Sequence, residues 1–316
     1  TSNTYSTQMS EHNLLIVLGA TAVGKTQLAV QLAKSFNGEV ISADSRQVFK
    51  EMDIGTGKDL SEYLVDGVKI PYHLIDIREA GDHYHVNAFK EDFYQAFEDI
   101  SNRGKLPILC GGTGMYIHSL LQNHDLTSIP VDTDLRQELL MLDKVELQQR
   151  LIVYPQELRK NADYSSAKRL IRAIEIAKFL SENDYQPEER PVLKPFVIGL
   201  YNEVETRRSK ILNRLDARLS NGLIEEVEVL LAKGVSKDML IFYGLEYKFI
   251  AAYLANEIDF DTLRERLGIA ICQFAKRQMT FFRKMEKDGV KIQWLLAGED
   301  RQALTAEAIE LVSENF

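Results

Sequence analysis

The sequence predicts an α/β fold in which a parallel sheet is flanked by helices and carries an inserted helical subdomain. Short apolar runs rich in Val, Ile and Leu alternate with longer stretches of helical periodicity, the pattern of strands joined by crossover helices. The first run, 14–18, leads through a glycine-bounded loop into a helical stretch at 27–36. Prolines punctuate residues 120–195 and interrupt the alternation, which predicts the insertion.

The loop after the first predicted strand, GATAVGKT, matches the pattern G-x-x-x-x-G-K-[ST] between a strand and a helix. The two glycines allow successive backbone N–H groups to face one anion, and the lysine adds a mobile positive charge. We therefore expect a P-loop NTPase-like sheet that binds a diphosphate or triphosphate, with the Thr26 hydroxyl holding Mg²⁺. The predicted phosphate-binding residues are Gly19, Ala20, Thr21, Ala22, Val23, Gly24, Lys25 and Thr26.

A second strand is predicted at 39–43, and it ends in a polar cluster. Ligands of open α/β sheets lie beyond the carboxyl ends of the strands, so this cluster should face the same crevice as the phosphate loop. Asp44 is the first candidate for chemistry, although a carboxylate that caps a turn is the alternative interpretation. The cluster consists of Asp44, Ser45, Arg46 and Gln47.

Further elements follow in order along the chain. The apolar runs 72–77 and 106–110 are predicted strands, and an amphipathic helix is predicted between them at 86–102. His73, in the first run, is interpreted as a structural residue. The turn GGTG at 111–114 lets backbone approach a ligand or the phosphate loop closely.

The inserted subdomain is predicted to contain helices at 133–151 and 165–180. In the second helix Lys168, Arg169 and Arg172 lie three or four residues apart, on a face that suits either a phosphate backbone or solvent. A strand at 195–200 should return the chain to the sheet, followed by helices at 205–219 and 261–287, a strand at 292–295 and a helix at 303–316.

Two of these helices are basic. The helix at 205–219 carries four arginines, of which one is expected to reach the phosphates and stabilise a departing diphosphate. Residues 264–291 contain eight basic and three acidic side chains, with phenylalanines between them. This pattern is typical either of a surface for unstacked RNA bases or of a solvated helix face over a core.

Composition narrows the function class. Hydrophobic residues make up 45% and charged residues 27%, as in globular proteins, and no apolar run approaches the roughly 20 residues that span a bilayer. The net charge of -9 argues against indiscriminate nucleic-acid coating. Residues 1–12 are expected to form a disordered tail, Cys110 and Cys272 to be buried thiols, and the chain to be a cytoplasmic monomer without membrane contact.

Six segments in order along the chain resemble the tRNA dimethylallyltransferase family, also called tRNA isopentenyltransferases. They read LGATAVGKT, ISADSRQVFKEMDIGT, YHLIDI, LPILCGGTGMY, RSKILNRLDAR and AKRQMTFFRK. The resemblance implies that the phosphate loop binds dimethylallyl diphosphate rather than ATP. It also implies that an adenosine next to the tRNA anticodon is flipped into a channel and receives the prenyl group on its exocyclic amine.

The resemblance also implies residue roles. Asp44 would be the base and Arg208 the arginine on the leaving diphosphate, with Arg207 as its rival, and Lys25 and Thr26 would complete the catalytic group. Residues 123–192 would be a tRNA-binding insertion between the two parts of the core, 13–122 and 193–316. The implied tRNA contacts are Asp44, Ser45, Arg46, Gln47, Thr113, Lys168, Arg169, Arg172, Lys276, Arg277, Gln278 and Arg283.

The sequence departs from the family in two places. The segment 139–165 is compressed, which predicts a reduced grip on the anticodon arm without loss of prenyl transfer. The family's GYKE-like segment reads Gly244, Leu245, Glu246 and Tyr247, with an acid in place of a base. Three other functions are weighed: an adenylate isopentenyltransferase acting on free AMP, ADP or ATP, a small-molecule P-loop kinase, and a nucleotide-switched binding protein.

Overall fold

The computed structural model describes residues 11–122, 126, 128–186 and 189–316. Residues 1–10 of the predicted tail lie outside this range. Among the described residues, none of the helices combines the length and apolarity that a membrane crossing requires. The strands, in chain order, are β1 Leu14–Gly19, β2 Gly38–Ser42, β3 Leu64–Val65, β4 Val68–Lys69, β5 Tyr72–His73, β6 Leu106–Gly111, β7 Pro195–Tyr201 and β8 Ile292–Leu296.

The helices account for most of the described chain, and two short 3-10 turns lie at Leu60–Tyr63 and Gln156–Arg159. In chain order the α-helices are α1 Lys25–Phe36, α2 Val86–Asn102, α3 Gly114–Leu121, α4 Thr133–Leu139, α5 Lys144–Ile152, α6 Ala167–Glu182, α7 Val204–Ser220, α8 Leu223–Ala232, α9 Lys237–Tyr243, α10 Leu245–Leu254, α11 Phe260–Lys287 and α12 Arg301–Asn315.

The main sheet has six strands in the order β5-β2-β6-β1-β7-β8, and every neighbouring pair is parallel. β1 is central and fully buried, which explains its uninterrupted apolar sequence. Alternate β1 side chains enter different cores: Leu15 and Val17 pack with α1 and α12, whereas Leu14, Ile16 and Leu18 pack with α2, α3 and α11. The predicted parallel α/β sheet flanked by helices is confirmed.

Two predicted elements differ from the structure. The run 72–77 forms a strand only at Tyr72–His73, because Leu74 and Asp76 adopt positive φ angles of 67° and 56° and turn the chain out of the sheet. The single helix expected at 133–151 is two helices, because Asp143 forms a capping box with Glu146 and begins α5.

The described chain divides into two compact units. One contains the residues up to 122 together with 191–316, and it holds the main sheet. The other, 123–190, has its own small core of leucine, isoleucine and alanine from α4, α5 and α6. Inside this second unit the buried Glu175 accepts hydrogen bonds from Arg136 at 2.6 Å and Arg172 at 3.3 Å, so its charge is compensated.

Candidate active site

The phosphate loop connects β1 to α1 and lines a cavity of about 370 Å³. Ala22 and Gly24 have φ angles of 65° and 94°, which turn the backbone into the helix. Lys25 Nζ donates to the carbonyl oxygen of Ala20 at 3.2 Å, so the side chain folds back over the loop. Burial lowers the pKa of Lys25, and a bound anion would oppose that shift by favouring the charged ammonium.

The predicted loop residues divide into two groups. Thr21, Ala22, Gly24, Lys25 and Thr26 line the cavity, so they are the ones that can contact a ligand. Gly19 and Ala20 instead pack inside the core: a side chain at Gly19 would lie 2.8 Å from the backbone oxygen of Leu200. Val23 is buried as well and lines a neighbouring cavity.

Asp44 lies directly after β2, on the same cavity as Lys25 and Thr26. Its Oδ1 accepts backbone N–H groups from Arg46 at 2.8 Å and Gln47 at 3.1 Å. Neither hydrogen bond uses Oδ2, which therefore remains available as a proton acceptor. The two interpretations of Asp44 are thus compatible: one oxygen fixes the turn, and the carboxylate still lines the cavity.

The turn after β6 supports the Asp44 loop. Thr113 Oγ1 accepts the backbone N–H of Ser45 at 3.1 Å, and the Thr113 N–H bonds the Ala43 carbonyl at 3.1 Å. A side chain at Gly111 would lie 2.2 Å from the Ala43 oxygen, so only glycine fits there. In this structure Thr113 therefore positions the loop that carries Asp44.

Gln278 on α11 joins the phosphate loop to the same turn. Its Oε1 accepts the backbone N–H of Thr21 at 2.9 Å, and its Nε2 donates to the Gly112 carbonyl at 3.0 Å. The side chain is buried and its amide is used inside the core. The expectation that Gln278 contacts tRNA is thus not what the structure indicates, because neither end of the amide faces outward.

Arg46 also differs from expectation. Its Nη1 donates to Glu246 Oε2 at 2.8 Å, and Arg218 Nη1 lies 3.4 Å from the other oxygen of the same carboxylate. Glu246 is only 3% exposed, so this acid compensates two largely buried guanidinium groups. Arg46 is therefore held by the protein and does not line the cavity, whereas Gln47 does.

The arginine of α7 that lines the cavity is Arg214, together with Lys210 and Asn213. Arg208, the arginine that the family resemblance implied, is exposed and is absent from the lining of this cavity. Helical geometry explains the difference, because Arg208 lies about 200° around the helix from Lys210, whereas Arg214 is one turn away. A side chain at Gly57 would meet Arg214 Nη2 at 2.5 Å, so this glycine makes room for the guanidinium.

Known protein families match most of this chain. Residues 47–285 match the family model described as IPP transferase, and residues 12–75 match the model described as isopentenyl transferase. The chain belongs to the IPP transferase family. It is 49% identical to tRNA dimethylallyltransferase 1 of Porphyromonas gingivalis over 282 residues, which cover 89% of this chain and 93% of the relative.

Other members of the IPP transferase family are similar over nearly the whole chain. The tRNA dimethylallyltransferase 1 of Parabacteroides distasonis is 46% identical over 94% of this chain and 97% of its own. The crystal structure of a tRNA isopentenylpyrophosphate transferase from Bacillus halodurans superposes with a TM-score of 0.71, at 31% identity and with 96% of both chains covered. The similarity therefore extends from the phosphate loop to the C-terminal helices.

The remaining residues that the family resemblance assigned to tRNA lie on helix surfaces. Lys276, Arg277 and Arg283 are exposed on α11, whereas Phe282 on the same helix is buried. The phenylalanine belongs to the core, and the basic side chains form the outer face.

The basic residues of α6 lie in the second compact unit. Lys168 is exposed, whereas Arg169 donates to Asp163 at 2.5 Å. Arg172 Nη2 donates to the Ile129 carbonyl at 2.7 Å, so its guanidinium already fixes the segment before α4. The basic face expected here is therefore reduced to Lys168 and a partly engaged Arg169.

Sequence reasoning missed several cavity residues: Glu62, Tyr63, Lys210, Asn213, Arg214 as the lining arginine, and Arg301. The i, i+4 spacing of Lys210 and Arg214 was the available signal for α7, since it places both on one helix face. No motif marks Glu62 or Arg301, because they approach from a 3-10 turn and from the last helix. The Cys110 thiol also lines the cavity, and burial raises its pKa to about 11, so it remains protonated at neutral pH.

Proposed function

We propose that this protein transfers a dimethylallyl group from dimethylallyl diphosphate to the exocyclic amine of the adenosine next to the anticodon of a tRNA, releasing diphosphate. The observation that carries the proposal is that Asp44 lines the same cavity as Lys25 and Thr26 of the phosphate loop. A carboxylate that can accept a proton therefore lies beside the proposed diphosphate site. The names of the similar proteins, tRNA dimethylallyltransferases, support this reaction.

The proposed reaction is a substitution at carbon. The exocyclic nitrogen of adenine attacks C1 of the dimethylallyl group, the C1–O bond breaks, and its electron pair leaves with the diphosphate. The nitrogen is a weak nucleophile because its lone pair is delocalised into the ring, so removal of its proton assists the attack. Asp44 accepts this proton at Oδ2, while Oδ1 keeps the turn in place through its two backbone hydrogen bonds.

The departing diphosphate gains negative charge, and the cavity supplies positive charge to meet it. The backbone N–H groups of the phosphate loop and the α1 N-terminus act together with Lys25. Arg214 is the arginine that we assign to the leaving group in place of Arg208, because it lines the cavity with Lys25. A guanidinium can donate two parallel hydrogen bonds to phosphate oxygens.

The residues present fit a magnesium ion that is bound mainly through its substrate. The Thr26 hydroxyl and the Asp44 carboxylate line the cavity, and no group of three acidic, histidine or cysteine side chains suited to a metal occurs in the described part of the chain. Mg²⁺ typically takes one or two protein oxygens and fills its shell with phosphate oxygens and water. Held by Thr26, it would supply charge neutralisation for the diphosphate.

Two separate groups of basic residues are proposed to contact RNA: the exposed basic residues of α11 in the first unit, and Lys168 and Arg169 in the second unit. Lys276, Arg277 and Arg283 are exposed, and within the described residues none of them forms an ion pair, which suits contacts to a phosphate backbone. An anticodon loop leaves its bases less firmly stacked than a duplex does, so extruding the adenosine costs less there. The anticodon arm is therefore the expected partner. We also expect the enzyme to act as a monomer.

A comparison of acceptors tests the function. We would incubate the protein with radiolabelled dimethylallyl diphosphate, Mg²⁺ and either an anticodon stem-loop, AMP, ADP or ATP, and measure label in the acceptor. Transfer to the stem-loop at least 100-fold faster than to free nucleotides is expected. Preferential transfer to AMP, or phosphoryl transfer from ATP without prenyl transfer, would refute the proposal. Chelation of Mg²⁺ should abolish the reaction, and added Mg²⁺ should restore it.

A further inference from the structure

The first residue of the last helix, Arg301, lines the phosphate cavity together with Lys25, Thr26 and Arg214. Asp300 caps the helix by accepting the N–H of Ala303 at 3.0 Å, which fixes the backbone from which the Arg301 side chain extends. Arg301 belongs neither to the phosphate loop nor to the basic helices α7 and α11, so the roles assigned above do not include it.

Arg301 differs from the other cations of the cavity in how the protein holds its side chain. Lys25 bonds the Ala20 carbonyl and Arg214 contacts the Gly57 carbonyl, so both are already oriented by the protein. Within the described residues the Arg301 guanidinium has no ion pair and no hydrogen bond to a carboxylate. Glu62 is the nearby acid: burial raises its pKa, and Arg214 and Arg301 oppose that shift.

Arg301 also borders a second cavity, of about 680 Å³, that shares Gly24, Glu62 and Lys210 with the first. This second cavity does not include Asp44 in its lining. Arg301 therefore borders both the cavity that Asp44 lines and a neighbouring cavity that Asp44 does not line. A diphosphate has two phosphate groups, and a loop that cradles one leaves oxygens of the other open to a second donor.

We propose that Arg301 is a further diphosphate-binding residue, which holds the prenyl diphosphate and the released diphosphate through its guanidinium. The proposal rests on the proposed function for the identity of the donor, but the diphosphate contact itself does not depend on the acceptor. Arg301 binds the phosphate oxygens before and during transfer, so it contributes to affinity for the donor and little to the chemical step.

The test measures equilibrium binding of inorganic diphosphate with Mg²⁺ by calorimetry, followed by steady-state kinetics. Arg301→Gln should weaken diphosphate binding about tenfold, about the value of one charge-assisted hydrogen bond, and raise KM for dimethylallyl diphosphate equally. The kcat and the KM for the RNA should stay within twofold of wild type. Arg301→Lys should recover only part of the affinity, because an ammonium lacks the planar fork.

Two controls separate direct contact from indirect effects. Lys237→Gln removes an exposed cation that pairs with Glu257 and should leave diphosphate binding unchanged. Glu62→Gln combined with Arg301→Gln tests whether Arg301 only neutralises Glu62. The proposal holds if the double variant still binds diphosphate about tenfold more weakly than Glu62→Gln alone.

Full recovery of affinity in the double variant, or wild-type diphosphate affinity in Arg301→Gln, would overturn the proposal. Failure of the proposed function has a different signature. In that case the wild-type protein would transfer no prenyl group to RNA, although its diphosphate affinity still depended on Arg301. The thermal midpoint of Arg301→Gln should match wild type, because Arg301 is exposed at the helix start.

Discussion

Gln278 on α11 accepts the backbone N–H of Thr21 in the phosphate loop, with 2.9 Å between the two atoms. The two residues are 257 positions apart in the sequence. Through this hydrogen bond the C-terminal basic helix holds the loop that is expected to bind the diphosphate. The helix that carries exposed basic side chains on its outer surface thereby supports the phosphate loop with its inner surface.

Gln278→Ala should therefore impair donor binding. The substitution leaves the Thr21 N–H and the Gly112 carbonyl without their partner, and an unsatisfied buried polar group costs about 1–3 kcal/mol. We expect kcat/KM for dimethylallyl diphosphate to fall between tenfold and 100-fold, measured at saturating tRNA. Thr280→Ala, an exposed change on the same helix, is the control; an equal loss there would contradict the specific link through Gln278.

Glu246 should be a major contributor to stability. Its carboxylate binds Arg46 at 2.8 Å, and it opposes the burial and the neighbouring Arg214 that together lower the pKa of Arg218 to about 10. Removal of one partner from a buried ion pair costs roughly 3–5 kcal/mol. Glu246→Gln should lower the free energy of unfolding in urea by an amount approaching this range.

The exposed pair Lys237–Glu257 provides the comparison for Glu246. Lys237→Gln should change the unfolding free energy by less than about 1 kcal/mol, because exposed ion pairs contribute little. If both variants lost the same small amount, the cluster around Glu246 would not be the compensated buried group described above.

Arg214→Gln should reduce kcat much more than Arg208→Gln. Loss of a donor that stabilises developing charge typically costs 10² to 10³ in rate, and Arg214 lines the cavity whereas Arg208 is exposed. We expect Arg208→Gln to stay within about threefold of wild type, in keeping with its exposed position. Rapid-quench measurement of single-turnover transfer distinguishes the two; the opposite ranking would restore the assignment to Arg208.

The buried Glu39 predicts an acid-dependent loss of stability. Hydrogen bonds from Arg103, followed by those from His73 and Lys105, lower the pKa of Glu39 to about 2 despite its burial. Because the folded pKa lies below the unfolded value of 4.5, the stabilisation is complete above pH 4.5 and is lost as the pH falls towards 2.

Urea unfolding at pH 3, 4, 5 and 7 measures this effect. Glu39→Gln should be less stable than wild type at pH 7, and the difference should shrink as the pH falls through the window of 4.5 to 2. Glu310→Gln, an exposed change on α12, should leave the pH dependence as in wild type. A stability difference for Glu39→Gln that stayed constant with pH would contradict the assigned charge interaction.

Local patterns were sufficient to predict much of the fold. Local preferences were strong in three places: the apolar run of β1, the glycines of the phosphate loop and the apolar periodicity of α2. The folded protein has the predicted conformation in each of them. The strand at 72–77 was overestimated because its positive φ angles at Leu74 and Asp76 depend on contacts made elsewhere, including Lys58 with Asp76.

The site was predicted less completely, because several of its members approach from distant parts of the chain. Asp44, Lys25 and Thr26 follow directly from strand ends and a motif. Gln278 and Glu246, in contrast, look like surface residues of basic or mixed helices, and only the fold turns them inward. Arg301 belongs to a helix with no motif, so its place on the cavity depends on where α12 packs.

The most direct test of the central claim is transfer from labelled dimethylallyl diphosphate to total tRNA, followed by digestion to nucleosides and mass spectrometry. Asp44→Asn is the matched variant, because an amide oxygen can still accept the N–H groups of Arg46 and Gln47 while the proton acceptor is lost. The wild-type protein should produce N6-dimethylallyl adenosine, and Asp44→Asn should do so about 10² to 10⁴ times more slowly with unchanged diphosphate affinity. Absence of the modified nucleoside with wild type, or a loss of less than tenfold in Asp44→Asn, would contradict the account.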